Sequence, residues 1–573
     1  MPLSFDIATV PFSRYGSFLT ISYLKAAGSR PAGIYLRTVR GGDLTAGAAF
    51  RIELLEKQIP VAYQVQATPT HLRLESAGGS VDLCICNATT VRWKTDGVGL
   101  RLTLEGGDYD YAMQLADDRW EVNSFLNEVR FMAKCLQGAL SVDAPWNRTR
   151  CTHVALQFEP DESGCAEFTI EEYRTVWQEF PLSTTFEQDV EQVAAEFQHW
   201  LAGTLQAGNC ASSKGRELAA YITWSCIVPK GGYLTRPAMY MSKNWMTNIW
   251  SWDHCFNAMA LIQSNPELAW DQFMIFFDRQ DESGLLPDFM NDKYALWNCN
   301  KPPIHGWTLL WMMERSNWIG ERQLLEVYEP LARWTRWWFN YRDDDRDGVP
   351  QYNHGNDSGW DNSTIFQERG AVESPDLCAY LVLQCEALMR IAERIGRPHD
   401  GTAWRNLGER TLALMLEHFW HNGEMRALRS GSHEPLGGDS LIVYLPIIVA
   451  DRLPADVKEW LVTGLADSCK FLAPHGFATE SLSSAAYEPD GYWRGPIWAP
   501  VMMLLVDGLV RAGERDLAQT AAERFCRMAE QSGMAENFNA RTGEGLRDRA
   551  FTWTSSVYLM LVHEYVTSAS SAS

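Results

Sequence analysis

A chain of 573 residues with 46% hydrophobic and 21% charged residues has enough apolar mass for two or more cores. Its formal net charge of −22 speaks against nucleic acid and anionic membrane as partners, since both would repel it. No run approaches the ~18 apolar residues that span a bilayer. The start, Met1 to Asp6, has neither a basic nor an apolar leader region, so a cytoplasmic location is expected. The 13 Cys lack paired zinc spacings, and several lie in apolar runs as Cys84 and Cys86 do, which reads as reduced thiols. The 24 Trp, 20 Tyr and 24 Phe serve mostly as core, but aromatics grouped with Asp, Asn and Gly are what a sugar site uses.

The first third alternates with period two. Leu19, Ile21 and Tyr23 mark one such run, followed by Ile34 with Leu36, Leu72 with Leu74, Leu83 with Ile85, and Leu100, Leu102 and Leu104. Turn residues separate the runs, which predicts an antiparallel β-sandwich ending near Phe168-Thr169-Ile170 and a first domain over residues 1–181. From 182 to 573 the period is helical. Thr185 caps a helix with Phe186, Val190, Val193, Phe197 and Trp200 on one stripe. A second runs from Leu377 to Ile395 and stops at Gly396 and Pro398, with a partner from Trp404 to Phe419. Val501–Val510 pairs with Leu517–Met528. Helical hairpins joined by long Trp-, Asn- and Gly-rich loops suggest a helical toroid with its chemistry on the loops at one end.

Five of those loops stand out. Trp250-Ser251-Trp252-Asp253 offers two rings and an acid to a sugar; its plainer reading is an aromatic pair with Asp253 capping a helix. In Lys301-Pro302-Pro303-Ile304-His305 the prolines hold the chain extended, leaving Lys301 and His305 to point into a site or His305 to cap a helix. Asn356-Asp357-Ser358-Gly359-Trp360-Asp361 sets a carboxyl beside an indole, an arrangement expected to exclude water and keep Asp361 protonated. Tyr492-Trp493-Arg494-Gly495-Pro496-Ile497-Trp498 is a further aromatic loop, and Glu536 in Ala535-Glu536-Asn537-Phe538 supplies a second carboxylate. Separately, Asp343, Asp345 and Asp347 before Gly348 follow the start of a calcium loop. His354 stands where that loop should end in an acid, so a structural Ca²⁺ would need a carboxylate from elsewhere, such as Glu373. A solvated acidic turn is the alternative.

In this order the loops resemble glycoside hydrolase family 63 and its inverting relatives, over roughly Trp245 to Glu564. The resemblance implies a mainly α fold, an (α/α)₆ barrel behind an accessory N-terminal β-sandwich. It also implies Asp361 as general acid and Glu536 as general base, with Trp250, Trp252, Asp253, Tyr492, Trp493 and Trp498 around one sugar ring and Gly359 contributing backbone. The family often has Glu where Asn356 or Asp357 stands in this chain. The expected activity is inverting, exo-acting hydrolysis of a small α-glucoside, with no cofactor needed for the chemistry. Two carboxyls working through a water should stand ~6.5–9.5 Å apart. Three other readings remain open: a trehalase-like hydrolase, a disaccharide phosphorylase and a carbohydrate-binding protein without catalysis. α-Mannosides and α-galactosides also stay open, as does the oligomeric state.

Overall fold

The structure is a computed structural model describing residues 3–179, 181, 183–206 and 213–566. Its N-terminal part stacks two eight-stranded antiparallel sheets. Register places the predicted apolar faces opposite one another: Leu100 pairs with Leu54 and Phe158, and Leu102 with Ile52 and Leu156. In the other sheet Leu72 faces Leu83 and Phe168 faces Trp93. All of these are fully buried, as sandwich packing requires. Tyr23 departs from its predicted face, since its ring is exposed. The last strand is Cys165–Tyr173, and Leu182 at the expected domain boundary lies outside the described residues.

Helix α1 (Phe186–Gly203) begins at a capping box, Thr185 and Gln188 each satisfying the other's backbone N–H. The remaining helices are α2 (Ser213–Ser225), α3 (Asp253–Leu261), α4 (Pro266–Met274), α5 (His305–Arg315), α6 (Glu321–Tyr341), α7 (Pro375–Arg394), α8 (Pro398–Phe419), the 3₁₀ segment α9 (Leu441–Arg452), α10 (Ala455–Ala466), α11 (Ala499–Ala512), α12 (Arg515–Gln531) and α13 (Thr552–Glu564). Contacts run α3, α5, α7, α9, α11, α13 and back to α3, which closes an inner ring. The even-numbered helices from α2 to α12 pack outside it. Sequence explains the division. Every residue of α3 is buried, so it belongs inside, whereas α12 buries only a stripe through Ala518, Ala521, Ala522 and Phe525. This is the (α/α)₆ barrel that the motifs imply.

The sandwich docks on the barrel through buried charge. The Arg37 guanidinium donates to the carbonyls of Lys243 and Asn244, and Lys243 Nζ donates to Ser13 Oγ at 2.9 Å and to the Ser17 carbonyl at 2.5 Å. Burial pulls Lys243 down to about 7. Arg92 reaches Asp189 at the head of α1 at 2.6 Å. No helix among the described residues is long and apolar enough to cross a membrane, and the described cysteines are unpaired thiols, most of them buried.

Candidate active site

The loops ahead of the inner helices meet at one small cavity of about 140 Å³. Trp250, Trp252, Asp253, Lys301, Gly359, Asp361, Tyr492, Trp493 and Glu536 line it, as expected from the motifs, together with Met246, Asn356, Phe551 and Trp553. A larger cavity of about 580 Å³ lies by Trp420, Tyr444 and Trp460, but none of its acids is buried: Asp456 and Glu459 are exposed and Asp467 is half-buried. The smaller one is distinguished not by volume but by the buried carboxyls of Asp253 and Glu536 facing the half-exposed Asp361.

The Asp361 loop is built around a single helical turn, Gly355–Ser358, whose first free N–H goes from Asn356 to His354 Nδ1 at 3.0 Å. Gly359 ends that turn in the left-handed region at φ 75°, and a Cβ there would lie 2.7 Å from the Trp252 ring. Only glycine satisfies both conditions. The turn sends Trp360 inward, where it packs on Trp493 with centroids 5.0 Å apart, and sends Asp361 out to the cavity. Asn362 then ties this loop to the aromatic one, donating to the Gly491 carbonyl at 3.0 Å and accepting from Trp493 N at 2.9 Å.

Trp493 and Trp498 stack 3.9 Å apart and 5° from parallel, and the Trp498 indole donates to the Tyr492 carbonyl. Trp360 and Trp498 are therefore the backing of the wall; Trp493 and Tyr492 are its face. Tyr492 itself holds φ at 64°, unusual for a bulky residue and typical of strained functional loops. The short strand Ile497–Trp498 pairs with Asn537–Phe538, which fixes the Glu536 loop against the aromatic one.

The two carboxyls sit in different surroundings. The Asp361 side chain remains 34% exposed, with Lys301 Nζ 3.8 Å away. Trp360 does not dry it as expected, because that indole turns away beneath the loop. Glu536 is 2% exposed. Burial and the neighbouring Asp548 push it up to about 8. Asp548 was not evident in the sequence. Its carbonyl accepts from Glu536 N at 2.9 Å and its N–H donates to the Glu536 carboxylate at 3.4 Å, while its own carboxylate is held by Ser242 Oγ and by the N–H of Met246 and Arg549. Asp253 is buried too and burial raises it well above the ordinary range; Trp252, not Asp253, occupies the helix-capping position.

Lys301 is the cation among these acids. Burial pulls its pKa down, but Asp288, Asp361 and Asp253 outweigh that and raise it. It donates to Asn356 Oδ1 at 2.6 Å and lies 3.4 Å from Asp288. Four predicted residues do not line the cavity: Trp360 and Trp498 lie behind its wall, and His305 and Arg494 stand away from it. His305 is the first residue of α5 and packs among Phe273, Phe277 and Trp334, with burial lowering it to about 3, so it is a neutral core side chain. Arg494 turns outward and pairs with Glu488 at 2.8 Å. The acidic loop lies outside the cavity too.

A family model, the mannosylglycerate hydrolase MGH1-like glycoside hydrolase domain, matches residues 246–554, the span holding every residue of this cavity. The chain belongs to that glycoside hydrolase family. The resemblance to family 63 is thereby borne out, and the protein is a hydrolase of glycosidic bonds. A glucosylglycerate hydrolase of Mycolicibacterium hassiacum is 23% identical over 410 residues, covering 54% of this chain and 91% of that protein. The family 63 mannosylglycerate hydrolase of Thermus thermophilus, solved with Tris, superposes with a TM-score of 0.52 at 20% identity over 60% of this chain and 98% of that one. A bacterial glucoamylase solved with acarbose gives a TM-score of 0.61 at 12% identity across 99% of this chain and 95% of its own, so the sandwich-plus-barrel arrangement is shared as a fold.

Proposed function

We propose that this protein is an inverting, exo-acting glycosidase that releases a hexose from a small α-glycoside. Asp361 acts as general acid and Glu536 as general base. The observation that carries the assignment is the gradient of exposure between the two carboxyls, 34% for the Asp361 side chain and 2% for Glu536. With a sugar ring in this cavity of about 140 Å³, the leaving group departs on the side that solvent reaches. The proton donor must therefore stand on the open side. The water attacks from the sealed side, where Glu536 lies against Trp553 and the Asp548 backbone. Glu536 removes a proton from that water as its oxygen bonds to the anomeric carbon. Asp361 protonates the departing oxygen as the C–O bond breaks, and solvent exchange restores both carboxyls.

Sugar in the cavity changes the acid's surroundings. Covering Asp361 strips its water, the exclusion sought from Trp360 and supplied instead by the substrate. Trp493, Tyr492 and Trp250 offer faces for the C–H surface of a pyranose, and Lys301, Asp253 and Asn356 offer hydrogen bonds to its hydroxyls. The similarity to glucosylglycerate and mannosylglycerate hydrolases supports a glycerate glycoside as substrate. Glucosylglycerate is the form to test first and mannosylglycerate second, with trehalose as the disaccharide comparison.

Leaving-group chemistry separates the two roles. An α-glycosyl fluoride departs with little protonation. Asp361→Asn should lose ~10²–10⁴-fold on a glycerate glycoside yet keep most activity on the fluoride, while Glu536→Gln loses both. The opposite pattern would exchange the roles.

A further inference from the structure

The acidic loop after α6 does not close on oxygen ligands alone. Asp347 from that loop meets Glu373, from the short strand Val372–Glu373, and two imidazoles, His418 at the end of α8 and His433 after the strand Leu428–Arg429. One donor atom from each lies within 4.8 Å of the others. His433 Nε2 is 3.5 Å from Asp347 Oδ2 and 3.9 Å from Glu373 Oε2, and His418 Nδ1 is 3.7 Å from Asp347 Oδ2. Ligands at about 2.0–2.1 Å from a tetrahedral cation stand about 3.3–3.5 Å apart, so these separations need only small closure. A calcium ion would want six or more oxygens, whereas two of the four donors gathered here are imidazole nitrogens. We propose that Asp347, Glu373, His418 and His433 form a binding site for one divalent transition cation of the zinc class.

A network of ion pairs alone leaves the cluster incomplete. Glu373 is fully buried, and although its Oε2 meets His418 Nε2 at 2.6 Å, its Oε1 has no partner. A bare buried carboxylate oxygen is costly, and a cation supplies what it lacks. Neutral imidazole paired with carboxylate is also the donor mixture that borderline-soft cations select over Ca²⁺. The ligands come from four separated segments, so the cation would cross-link them. Glu373 pairs in register with Gln351, which leads into the Asp361 loop, and Ser430 Oγ donates to Gln351 Oε1 at 2.6 Å. The bound cation would thus brace the strand from which the acid loop springs, without touching the sugar.

The test uses the full chain, stripped with a chelator and re-supplied separately with ZnCl₂, MnCl₂ and CaCl₂. Metal content after gel filtration and the melting temperature are both read. The expected result is about one retained zinc per chain with a raised melting temperature. His433→Ala, at a position 41% exposed and so able to fold, should lose both. Asp347→Asn should do the same, and Co²⁺ in the wild type should give the visible absorption of a tetrahedral site. Stabilisation by Ca²⁺ alone, unchanged in His433→Ala, would overturn the proposal in favour of an oxygen-only calcium loop. So would the absence of stoichiometric binding of any of the three cations.

Discussion

At the scale of single residues, the cavity is governed by where protons rest. Glu536 is held at about 8 by burial and by Asp548, while Asp361 sits in the open beside Lys301. The pair needs one proton between its two members to turn over. That state persists until the higher-lying group titrates, so kcat/KM should hold to about pH 8 and then fall. Asp548→Asn removes the negative charge that raises Glu536, so the falling limb should move to lower pH; an unmoved limb contradicts this account of the base. Stability follows the same proton. The folded state binds it more tightly than the unfolded chain, so Glu536 contributes most below its unfolded value near 4.5. That contribution declines as pH rises towards 8. Glu536→Gln should therefore raise the melting temperature at pH 8, by on the order of 1–2 °C, and flatten its dependence on pH. Calorimetry of the two proteins between pH 5 and 8 checks this.

At the scale of elements, the site is a set of loops locked to each other more than to their own helices. Gly359 carries the tightest constraint. Gly359→Ala places a methyl in the Trp252 ring and in a left-handed backbone, a strain of roughly 1–2 kcal/mol before any displacement of the wall. It should lower kcat/KM far more than stability, because Trp252 lines the cavity. Near-normal kinetics in that variant would mean that the wall tolerates movement. The two carboxyls and their aromatic loops were legible in the sequence because each motif carries its own turn chemistry and its own rings. His305 was misplaced for a definite reason. Pro302 and Pro303 fix the approach to α5 but not its rotational phase, and that phase points the imidazole at Phe273 and Trp334. Asp548 was missed because its nearness to Glu536 comes from a hairpin that returns the chain, with Asn537 opposite Leu546. The histidines beside the acidic loop were invisible for the same reason, since His418 and His433 reach it from elements about 70 to 90 positions later.

At the scale of the whole molecule, the sandwich is joined to the barrel at the segment that supports Glu536. Arg37 holds the carbonyls of Lys243 and Asn244, and the neighbouring Ser242 and Met246 hold Asp548 beside Glu536. Arg37→Met would leave these carbonyls unpaired in a dry interface, at a cost of about 2–4 kcal/mol. A lower melting temperature is expected, with a loss of kcat that grows as the junction loosens on warming. If Arg37→Met melts like the wild type, the junction is not where the sandwich stabilises the barrel. Alternation and helical period showed both layers in the sequence, but the junction depends on which buried cations meet which carbonyls, and no pattern in the chain records that.

Whether Asp361 and Glu536 work through a water across one sugar ring is decided by the anomer that leaves the cavity. Proton NMR of the first product formed from glucosylglycerate, mannosylglycerate and trehalose reads it. An α-linked substrate should yield the β-anomer before mutarotation, with free aglycone released without phosphate. First appearance of the α-anomer, or release that requires phosphate, would contradict the assignment of the pair.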